Sequence, residues 1–310
     1  MTMVATVTLN ASVDTTGRLA RLERGAINRL DRSEAVAGGK GNNVARVLAT
    51  LGQRVVASGF VAGAAGRFIV DSLRAEGVEP AFREVPGESR TCLTLVEADG
   101  TVTEVREPGP TVAAADAAAF LRDAPELLAG AAVAVLSGGL PPGLPPDYYA
   151  DLIGALRGAG IATVLDSSGE ALRRGVAAGP GTLKPNTDEL ADLLGGPVAP
   201  GGEVAAARRL AAALPAGTTL LLTLGRHGAA LVTATDAVLA APPPVSVVNT
   251  VGAGDAFVAG WVDATVRGHG PVEALRRAVA TGAAATMQSR IGAVDPADVA
   301  RLLPQVRVAA

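Results

Sequence analysis

The segment Gly252-Ala253-Gly254-Asp255 combines a carboxylate with three small residues immediately before a predicted helix. Small residues at a helix start leave backbone N–H groups free, and these groups attract anions together with the helix dipole. An aspartate beside such a site can take a proton from a hydroxyl nucleophile, so the segment predicts phosphoryl transfer with Asp255 as the base. Aspartate is also a favoured helix N-cap, and a purely capping role fits the same residues equally well.

A second glycine-rich turn, Gly38-Gly39-Lys40-Gly41, opens another predicted helix. It is not a Walker loop, because no Ser or Thr follows the lysine. The glycines allow a ligand to approach the backbone closely, and Asn43 offers a donor and an acceptor to sugar hydroxyls. An ordinary loop-to-helix turn is the alternative interpretation.

A third polar segment, Lys184-Pro185-Asn186, precedes a short helix that starts at Thr187. Asn186 and Glu189 are three residues apart, so both side chains can face one point. An amide and a carboxylate suit a hydrated Mg²⁺, which takes few protein ligands. The same two residues also match a capping box, and both interpretations stay open.

Hydrophobic periodicity indicates how these segments are positioned. Helices are predicted at 43–51, 66–76, 113–128, 148–159, 203–213, 254–267 and 272–287, and strands at 4–9, 55–60, 132–136, 162–165, 220–224 and 229–233. This alternation predicts a parallel α/β sheet covered on both faces. The polar stretch 14–35 and a hairpin around Asp99-Gly100 interrupt it and predict a separate small sheet.

Composition excludes several classes of protein. The chain has 310 residues, 49% of them hydrophobic and 18% charged, with a net charge of −3, so disorder is not expected and no basic footprint for nucleic acid is visible. No signal peptide or long apolar span is found, so no membrane association is expected. The single cysteine, Cys92, fits a cytoplasmic location. A dinucleotide-dependent oxidoreductase is disfavoured, because no Gly-x-Gly-x-x-Gly follows the first strand.

Eight motifs occur together in one order along the chain. They are Thr8-Leu9-Asn10 with Asp14, Gly38-Gly39-Lys40-Gly41 with Asn43, Arg90, Glu107-Pro108-Gly109-Pro110, Ser137-Gly138, Asp166-Ser167-Ser168-Gly169, Lys184-Pro185-Asn186 with Glu189, and Thr250-Val251-Gly252-Ala253-Gly254-Asp255. In this order they resemble the PfkB, or ribokinase-like, carbohydrate kinases over essentially the whole chain. The branch that they resemble most contains 1-phosphofructokinase, tagatose-6-phosphate kinase and the minor 6-phosphofructokinase.

The resemblance implies an α/β fold with a ribokinase-like, Rossmann-type three-layer core and a small β-sheet lid. Residues 1–310 would form one kinase domain, with the lid built from about 14–35 and 90–106. In relatives the lids of two subunits clasp one another, which implies a homodimer. The partners implied are ATP and a sugar-phosphate-like molecule.

The resemblance also implies a role for each matching residue. Asp255 would be the base, and Gly252, Ala253 and Gly254 the anion hole. The acceptor would be held by Asp14, Gly39, Lys40, Asn43, Arg90 and Arg106. ATP would be held by Lys184, Asn186, Thr223, Gly225, Arg226, Gly228, Thr250, Gly252 and Gly254. Mg²⁺ would be organised by Asn186 and Glu189 through water, and some relatives bind K⁺ near positions matching Asn249, Val251 and Ala285.

The departures from the branch pattern collect on the acceptor side. Cys92 replaces an asparagine and Ser89 a threonine, Gly139 replaces a serine, and Arg106 replaces another asparagine. A lost polar partner can change substrate discrimination strongly, so these positions leave the acceptor open. Arg90 and Arg106 together predict an acceptor that is more anionic than fructose phosphate or differently placed. The alternatives are a kinase of another sugar, nucleoside or polyol, and a sugar-binding regulator without catalysis, against which the intact Asp255 argues.

Overall fold

The computed structural model describes residues 2–309. The strands are β1 Met3–Thr8, β2 Ser12–Leu19, β3 Arg32–Gly38, β4 Arg54–Val61, β5 Glu79–Glu84, β6 Arg90–Glu97, β7 Val102–Arg106, β8 Ala131–Ser137, β9 Ala162–Asp166, β10 Thr182–Leu183, β11 Thr219–Thr223, β12 Ala229–Val232, β13 Ala237–Ala241 and β14 Arg307–Ala309. The α-helices are α1 Lys40–Thr50, α2 Gly63–Ala75, α3 Ala114–Leu127, α4 Tyr148–Gly158, α5 Gly169–Ala177, α6 Thr187–Leu194, α7 Glu203–Ala213, α8 Ala253–Val266, α9 Pro271–Thr286 and α10 Pro296–Leu302. Over residues 2–309, every helix is too short or too polar to cross a membrane.

Ten strands form the main sheet, in the order β14-β13-β12-β11-β10-β9-β8-β1-β4-β5. From β5 to β11 all neighbours are parallel, whereas β12, β13 and β14 join by antiparallel pairing. The predicted parallel sheet is therefore confirmed from β5 to β11 and is wrong at the end formed by β12, β13 and β14. Only the short turns at 224–228 and 233–236 separate β11, β12 and β13, and such turns cannot make the crossover that parallel strands need.

The main sheet carries a hydrophobic core on each face, because successive side chains of a strand point to opposite sides. Val4 of β1 packs into the core that contains Leu48 of α1 and most of α8 and α9. Ala5, its neighbour, packs into the other core with Phe120 of α3 and Leu152 of α4. Helices thus cover both faces, and the predicted three-layer α/β architecture is confirmed.

Four strands form a second sheet in the order β3-β2-β6-β7. β2 pairs antiparallel with β3 and parallel with β6, and β6 and β7 form the hairpin around Asp99-Gly100. The chain enters this sheet for β2 and β3 directly after β1 and leaves it directly before α1, and it returns for β6 and β7 directly after β5. The small sheet is therefore attached at the edge of the main sheet where its parallel strands end.

That edge gathers the polar ends of several strands. Asp166 is the last residue of β9, Lys184 follows β10, and Thr223 ends β11. Helices α1 and α8 begin at the same edge, so their free N–H groups point toward it. In open α/β sheets, ligands bind outside the carboxyl ends of the strands.

Candidate active site

A cleft of about 350 Å³ separates the small sheet from the carboxyl edge of the main sheet. Twelve of the site residues predicted from the sequence line it: Asp14, Gly39, Lys40, Asn43, Arg90, Arg106, Lys184, Asn186, Thr223, Gly252, Gly254 and Asp255. Six others lie outside its lining: Glu189, Gly225, Arg226, Gly228, Thr250 and Ala253. The cleft thus brings together the three glycine-rich or polar segments singled out in the sequence with residues of β2, β6, β7 and β11.

Asp255 lies in the first turn of α8, and Gly252, with φ of 83°, is the N-cap residue. The carboxylate of Asp255 makes no capping hydrogen bond. Its Oδ2 instead accepts a hydrogen bond of 2.8 Å from Nδ2 of Asn43, which lies in α1. Asp255 is free of the capping role that its position allowed, and it faces the cleft.

The environment of Asp255 suits a proton acceptor. The side chain is buried, and burial together with the charge of Asp166 raises the pKa of its carboxyl to about 7, against the opposing effects of Lys40, Asn43 and Lys184. A general base works best when its pKa lies near the working pH. The first-turn N–H groups of Gly254 and Asp255 have no partner within the helix and can bind a phosphoryl oxygen.

Asp166 joins two lysines at the floor of the cleft. The Nζ atoms of Lys40 and Lys184 each lie 3.2 Å from Oδ1 of Asp166, which is 1% exposed. Burial alone would raise the pKa of this carboxyl, but Lys184 and Lys40 outweigh it and the pKa is lowered. Asp166 in turn raises the pKa of Lys40. Lys40 is therefore held as a cation, and the ammonium groups of Lys40 and Lys184 lie side by side where they can face phosphate groups.

No role was predicted for Asp166 from the sequence, although Asp166 opens the motif Asp166-Ser167-Ser168-Gly169. A carboxylate at the carboxyl end of a predicted buried strand was the available signal. Its partners Lys40 and Lys184 lie in distant segments of the chain, so their convergence was not visible in the sequence.

Asn186 and Glu189 form a capping box at the start of α6. Oδ1 of Asn186 accepts from the Glu189 N–H, and Oε2 of Glu189 accepts from the Asn186 N–H, both at 2.8 Å. Burial raises the pKa of Glu189, and the charge of Asp166 adds to that effect. The capping interpretation thus describes this pair, and each side chain keeps acceptor capacity for a further contact.

Residues of the small sheet face the site from the other side. Asp14, Cys92 and Arg106 lie side by side on β2, β6 and β7. Nε of Arg90 donates to the Asn10 carbonyl at 3.2 Å, and Nη2 of Arg106 pairs with Glu104 at 2.5 Å. Cys92 is half-buried, and burial raises the pKa of its thiol. The cleft therefore presents a neutral thiol between a carboxylate and a guanidinium.

Several lining residues were missed by the sequence analysis. They are Ser12, Leu93, Thr94, Glu104, Asp166 and Ile291. Ser12, Thr94 and Glu104 lie two positions from Asp14, Cys92 and Arg106, so the period of two along a strand places them on the same face. That signal was present in the sequence, whereas nothing there indicated Ile291, which comes from the segment after α9.

The segment 223–228, which was predicted to bind the nucleotide, begins in the cleft and continues outside it. Thr223 lines the cleft, and its Oγ1 donates to the Pro185 carbonyl at 3.4 Å. Gly225–His227 then forms a short 3₁₀ turn with an exposed Arg226. These outer residues extend the carboxyl edge beyond the cleft lining.

Comparison with known proteins gives consistent matches over the whole chain. The sequence profile of the pfkB family of carbohydrate kinases matches residues 7–297. A tagatose-6-phosphate kinase from Staphylococcus epidermidis is 34% identical over 313 aligned positions, which cover 99% of each chain.

Solved structures show the same relationship. Phosphofructokinase-2 from Escherichia coli, determined in complex with potassium, has a TM-score of 0.91 at 29% identity, over 98% of this chain and 99% of that one. The possible 1-phosphofructokinase from Thermotoga maritima has a TM-score of 0.88 at 25% identity, over 99% of each chain.

Proposed function

The chain belongs to the pfkB family of carbohydrate kinases, and from this premise we propose how its cleft performs the transfer. The protein is an ATP-dependent kinase that phosphorylates a hydroxyl of a sugar phosphate, giving a bisphosphate and ADP. One observation carries the proposal for the site: a buried Asp255 at the start of α8 faces the same cleft as the Arg90 and Arg106 guanidinium groups.

Asp255 takes the proton of the acceptor hydroxyl as that oxygen attacks the γ-phosphorus of ATP. The N–H groups at the start of α8, in the segment Gly252–Gly254, stabilise the charge on the transferring phosphoryl group. Lys40 and Lys184 add positive charge at the floor of the cleft. The raised pKa of Asp255 supports the role of base, since the carboxylate gains basicity while a substantial fraction of it is still ionised at neutral pH.

The charges of the cleft support a divalent cation with ATP. Its cationic residues are Lys40, Arg90, Arg106 and Lys184, and its carboxylates are Asp14, Glu104, Asp166 and Asp255. These charges cancel, so the negative charge of a triphosphate and a sugar phosphate needs a further cation.

The residues at the start of α6 fit Mg²⁺. Asn186 and Glu189 offer hard oxygen atoms, and over the described residues no group of three or more His, Cys, Asp or Glu side chains could form a metal cage. Mg²⁺ suits such a site because it keeps several waters and uses substrate phosphates as ligands. When bound, it would neutralise charge on the β- and γ-phosphates.

A monovalent cation is a finer part of the proposal. We place K⁺ near Asn249, Val251 and Ala285, at the loop that precedes α8. The E. coli relative was solved with potassium, and in this chain the Asn249 side chain already braces the loop by accepting from the Val251 N–H at 3.0 Å. Activity that rises with KCl but not with choline chloride supports this assignment.

The small sheet acts as a lid over the acceptor. Arg90 and Arg106 bind the phosphate already on the sugar, because guanidinium groups pair with phosphate oxygens through two parallel hydrogen bonds. Asp14 and Asn43 bind the sugar hydroxyls. Cys92 and Arg106 stand where branch members have asparagine, so they select among sugar phosphates.

A coupled ATP-consumption assay tests this function. The acceptors are tagatose 6-phosphate, fructose 6-phosphate, fructose 1-phosphate, free hexoses, ribose and nucleosides. We expect turnover with sugar phosphates, and a loss of about 10²–10⁴-fold in kcat for Asp255→Asn with the fold retained. Full activity of that variant, or turnover only with unphosphorylated acceptors, contradicts the proposal.

A further inference from the structure

Arg46 lies behind the catalytic face of the cleft and is 3% exposed. It is in α1, one turn after Asn43, and its guanidinium is bonded on every side. Nε pairs with Glu76 at 2.6 Å, Nη1 donates to Asn43 Oδ1 and to the Ile291 carbonyl at 3.2 Å each, and Nη2 donates to the Ala37 carbonyl. Arg46 is absent from the cleft lining, so it does not contact substrate there.

The Asn43 amide is held at both ends. Its Oδ1 accepts from Arg46, and its Nδ2 donates to Oδ2 of Asp255 at 2.8 Å. Arginine can only donate hydrogen bonds and an ionised carboxylate can only accept them. One orientation of the amide therefore satisfies both neighbours, and the flipped orientation would leave both contacts repulsive.

We propose that Arg46 is a positioning residue for phosphoryl transfer, which orients the Asn43 amide so that it donates its hydrogen bond to Asp255. This inference rests on the role of Asp255 as the base. It adds a residue that acts through another one and touches neither substrate. Asn43 then has two tasks, since it faces the acceptor and also fixes the base.

The surroundings of Arg46 keep it in this geometry. Glu76 balances its charge, which a buried guanidinium requires. Arg290 pairs with Glu76 and also lies 3.8 Å from Glu34 on β3. The group that orients Asn43 is thus connected to the small sheet through a chain of ion pairs.

The backbone at Gly292 also accommodates this contact. A Cβ atom there would overlap Nη1 of Arg46 and would lie 3.1 Å from Oδ1 of Asn43. Gly292 has φ of 69°, a conformation that favours glycine. The chain after α9 is therefore shaped to close over the Arg46–Asn43 pair.

The pH dependence of the reaction reports on this arrangement. The charged groups facing Asp255 are Asp166 from β9, Lys40 from α1 and Lys184 after β10, and a change at Arg46 leaves all three in place. The Asn43 hydrogen bond favours the charged form of Asp255 and lowers its pKa. Loss of that bond raises the pKa, so the acid limb of kcat/KM moves to higher pH.

The test compares Arg46→Lys with the parent enzyme in the ATP-consumption assay between pH 5.5 and 9. Lysine keeps the charge beside Glu76 but cannot reach Asn43, Ile291 and Ala37 together. We expect kcat to fall about tenfold at pH 7 and the acid limb to rise by about one pH unit, the value of one hydrogen bond to a charged group. KM for ATP should change less than kcat.

A double variant separates positioning from general damage. If Arg46 acts through Asn43, then Arg46→Lys should add no further loss and no further pH shift in an Asn43→Ala background. Losses that multiply, or an acid limb that stays in place in Arg46→Lys, overturn the proposal.

Arg277→Lys is the matched control. Arg277 pairs with the buried Asp263 between α8 and α9, far along the helix from Asp255. This variant should lower the melting temperature without moving the acid limb. If it moves the limb as Arg46→Lys does, the shift reflects loosened packing and the proposal fails.

Glu76→Gln serves if Arg46→Lys does not fold. It keeps Arg46 and removes the charge that pairs with both Arg46 and Arg290, so a smaller shift of the same sign is expected, and no shift overturns the proposal. Failure of the inference can be told from failure of the proposed function. An inactive Asp255→Asn with an unshifted Arg46→Lys refutes only the role of Arg46, whereas an active Asp255→Asn refutes the base itself.

Discussion

At the scale of single residues, Asp255 combines burial with a neighbouring negative charge. Its pKa is raised to about 7, mainly by burial and then by Asp166. Asn43 and the two lysines oppose this rise without cancelling it. A carboxylate with this pKa can accept the hydroxyl proton at neutral pH and can release that proton to solvent after the transfer.

The first prediction concerns pH. We expect kcat/KM for the acceptor to rise as pH increases through about 7, because Asp255 must lose its proton to act as the base. Asp166→Asn removes a charge that raises this pKa, so its acid limb should move to lower pH, with KM for ATP increased because Lys40 and Lys184 lose their partner. The pH dependence of kcat/KM measures the position of the acid limb for each enzyme, and ATP titrations in the same assay measure KM.

A surface variant controls for the titration of the substrate. Phosphate groups themselves titrate near pH 6, but that contribution is common to all variants. Asp71→Asn changes an exposed carboxylate on α2 and should leave the limb in place. An Asp166→Asn limb that moves to higher pH contradicts the electrostatic account.

The second prediction concerns stability. A buried carboxyl whose pKa is raised in the fold stabilises the folded state less as pH rises from about 4 to 7, since its charged form is disfavoured there. Asp255→Asn should therefore raise the free energy of unfolding at pH 8 by as much as about 4 kcal/mol, with a higher melting temperature, and change both little at pH 4. Thermal unfolding at the two pH values tests this sign.

The buried Asp263 provides the contrast. It is bonded by Gln53 at 2.6 Å, by Arg267 at 2.9 Å and by Arg277, so its removal leaves buried donors without partners. Asp263→Asn should destabilise the protein by about 3 kcal/mol. An Asp255→Asn variant that is destabilised like Asp263→Asn would show that Asp255 is a structural group.

At the scale of secondary-structure elements, α6 and α8 both carry an acidic residue at the third helical position, but the two carboxylates make different contacts. At α6, Asn186 and Glu189 bond each other's backbone and satisfy the first turn. At α8, the acidic residue turns away from its own helix, and the first-turn N–H groups stay free for an anion. The difference arises because Asn43 of α1 gives Asp255 a better partner outside its helix.

The third prediction concerns the contact between β1 and β4. Gly59 has φ of 134°, and a Cβ atom there would overlap the Thr8 carbonyl on the neighbouring strand. Gly59→Ala should lower the free energy of unfolding by at least about 2 kcal/mol. Chemical denaturation measures this value, and a neutral result contradicts the close approach.

Gly154→Ala is the matched control for that substitution. Gly154 lies inside α4, and a Cβ atom there would meet no other atom within 4 Å. Alanine favours the helix, so this variant should be more stable by about 0.5–1 kcal/mol. The opposite signs of the two Gly→Ala changes come only from tertiary surroundings.

At the scale of the whole molecule, we propose that two copies associate through their small sheets. Within residues 2–309, β3 and β7 are the edge strands of this sheet and have no further strand beside them. Apolar side chains are exposed nearby: Ile27 is 84% exposed and Val105 56%. A second copy can cover these groups, since exposed edges and apolar residues favour association.

The fourth prediction is a dimer in solution that this surface holds together. Ile27→Asp combined with Val105→Asp should shift the mass in sedimentation or light-scattering measurements from dimer to monomer, because a buried charge opposes association. Val272→Asp, at the exposed start of α9, should not change the mass. A monomeric parent protein, or a dimer that survives the double change, contradicts the proposal.

The sequence by itself determined the chemistry and most of the elements. The chemistry was visible in three short segments, Gly252–Asp255, Lys184–Glu189 and Gly38–Asn43. Within each segment the functional residues are close in sequence, and backbone geometry fixes how residues one turn apart meet. The spacing of hydrophobic residues likewise predicted an α/β sheet covered on both faces, and its interruptions predicted a separate small sheet. This works because apolar side chains must recur on the face of each helix or strand that is buried.

The hydrogen-bond partners of the polar groups in the site became known only from the tertiary structure. Asn43 and Asp255 are 212 residues apart, and Lys40 and Asp166 are 126 apart, yet each pair forms a hydrogen bond. Short-range spacing cannot encode such a contact, because it depends on how the strands are ordered in the sheet. For the same reason the capping box at α6, the free carboxylate at α8 and the buried Arg46 behind Asn43 became visible only once the chain was folded.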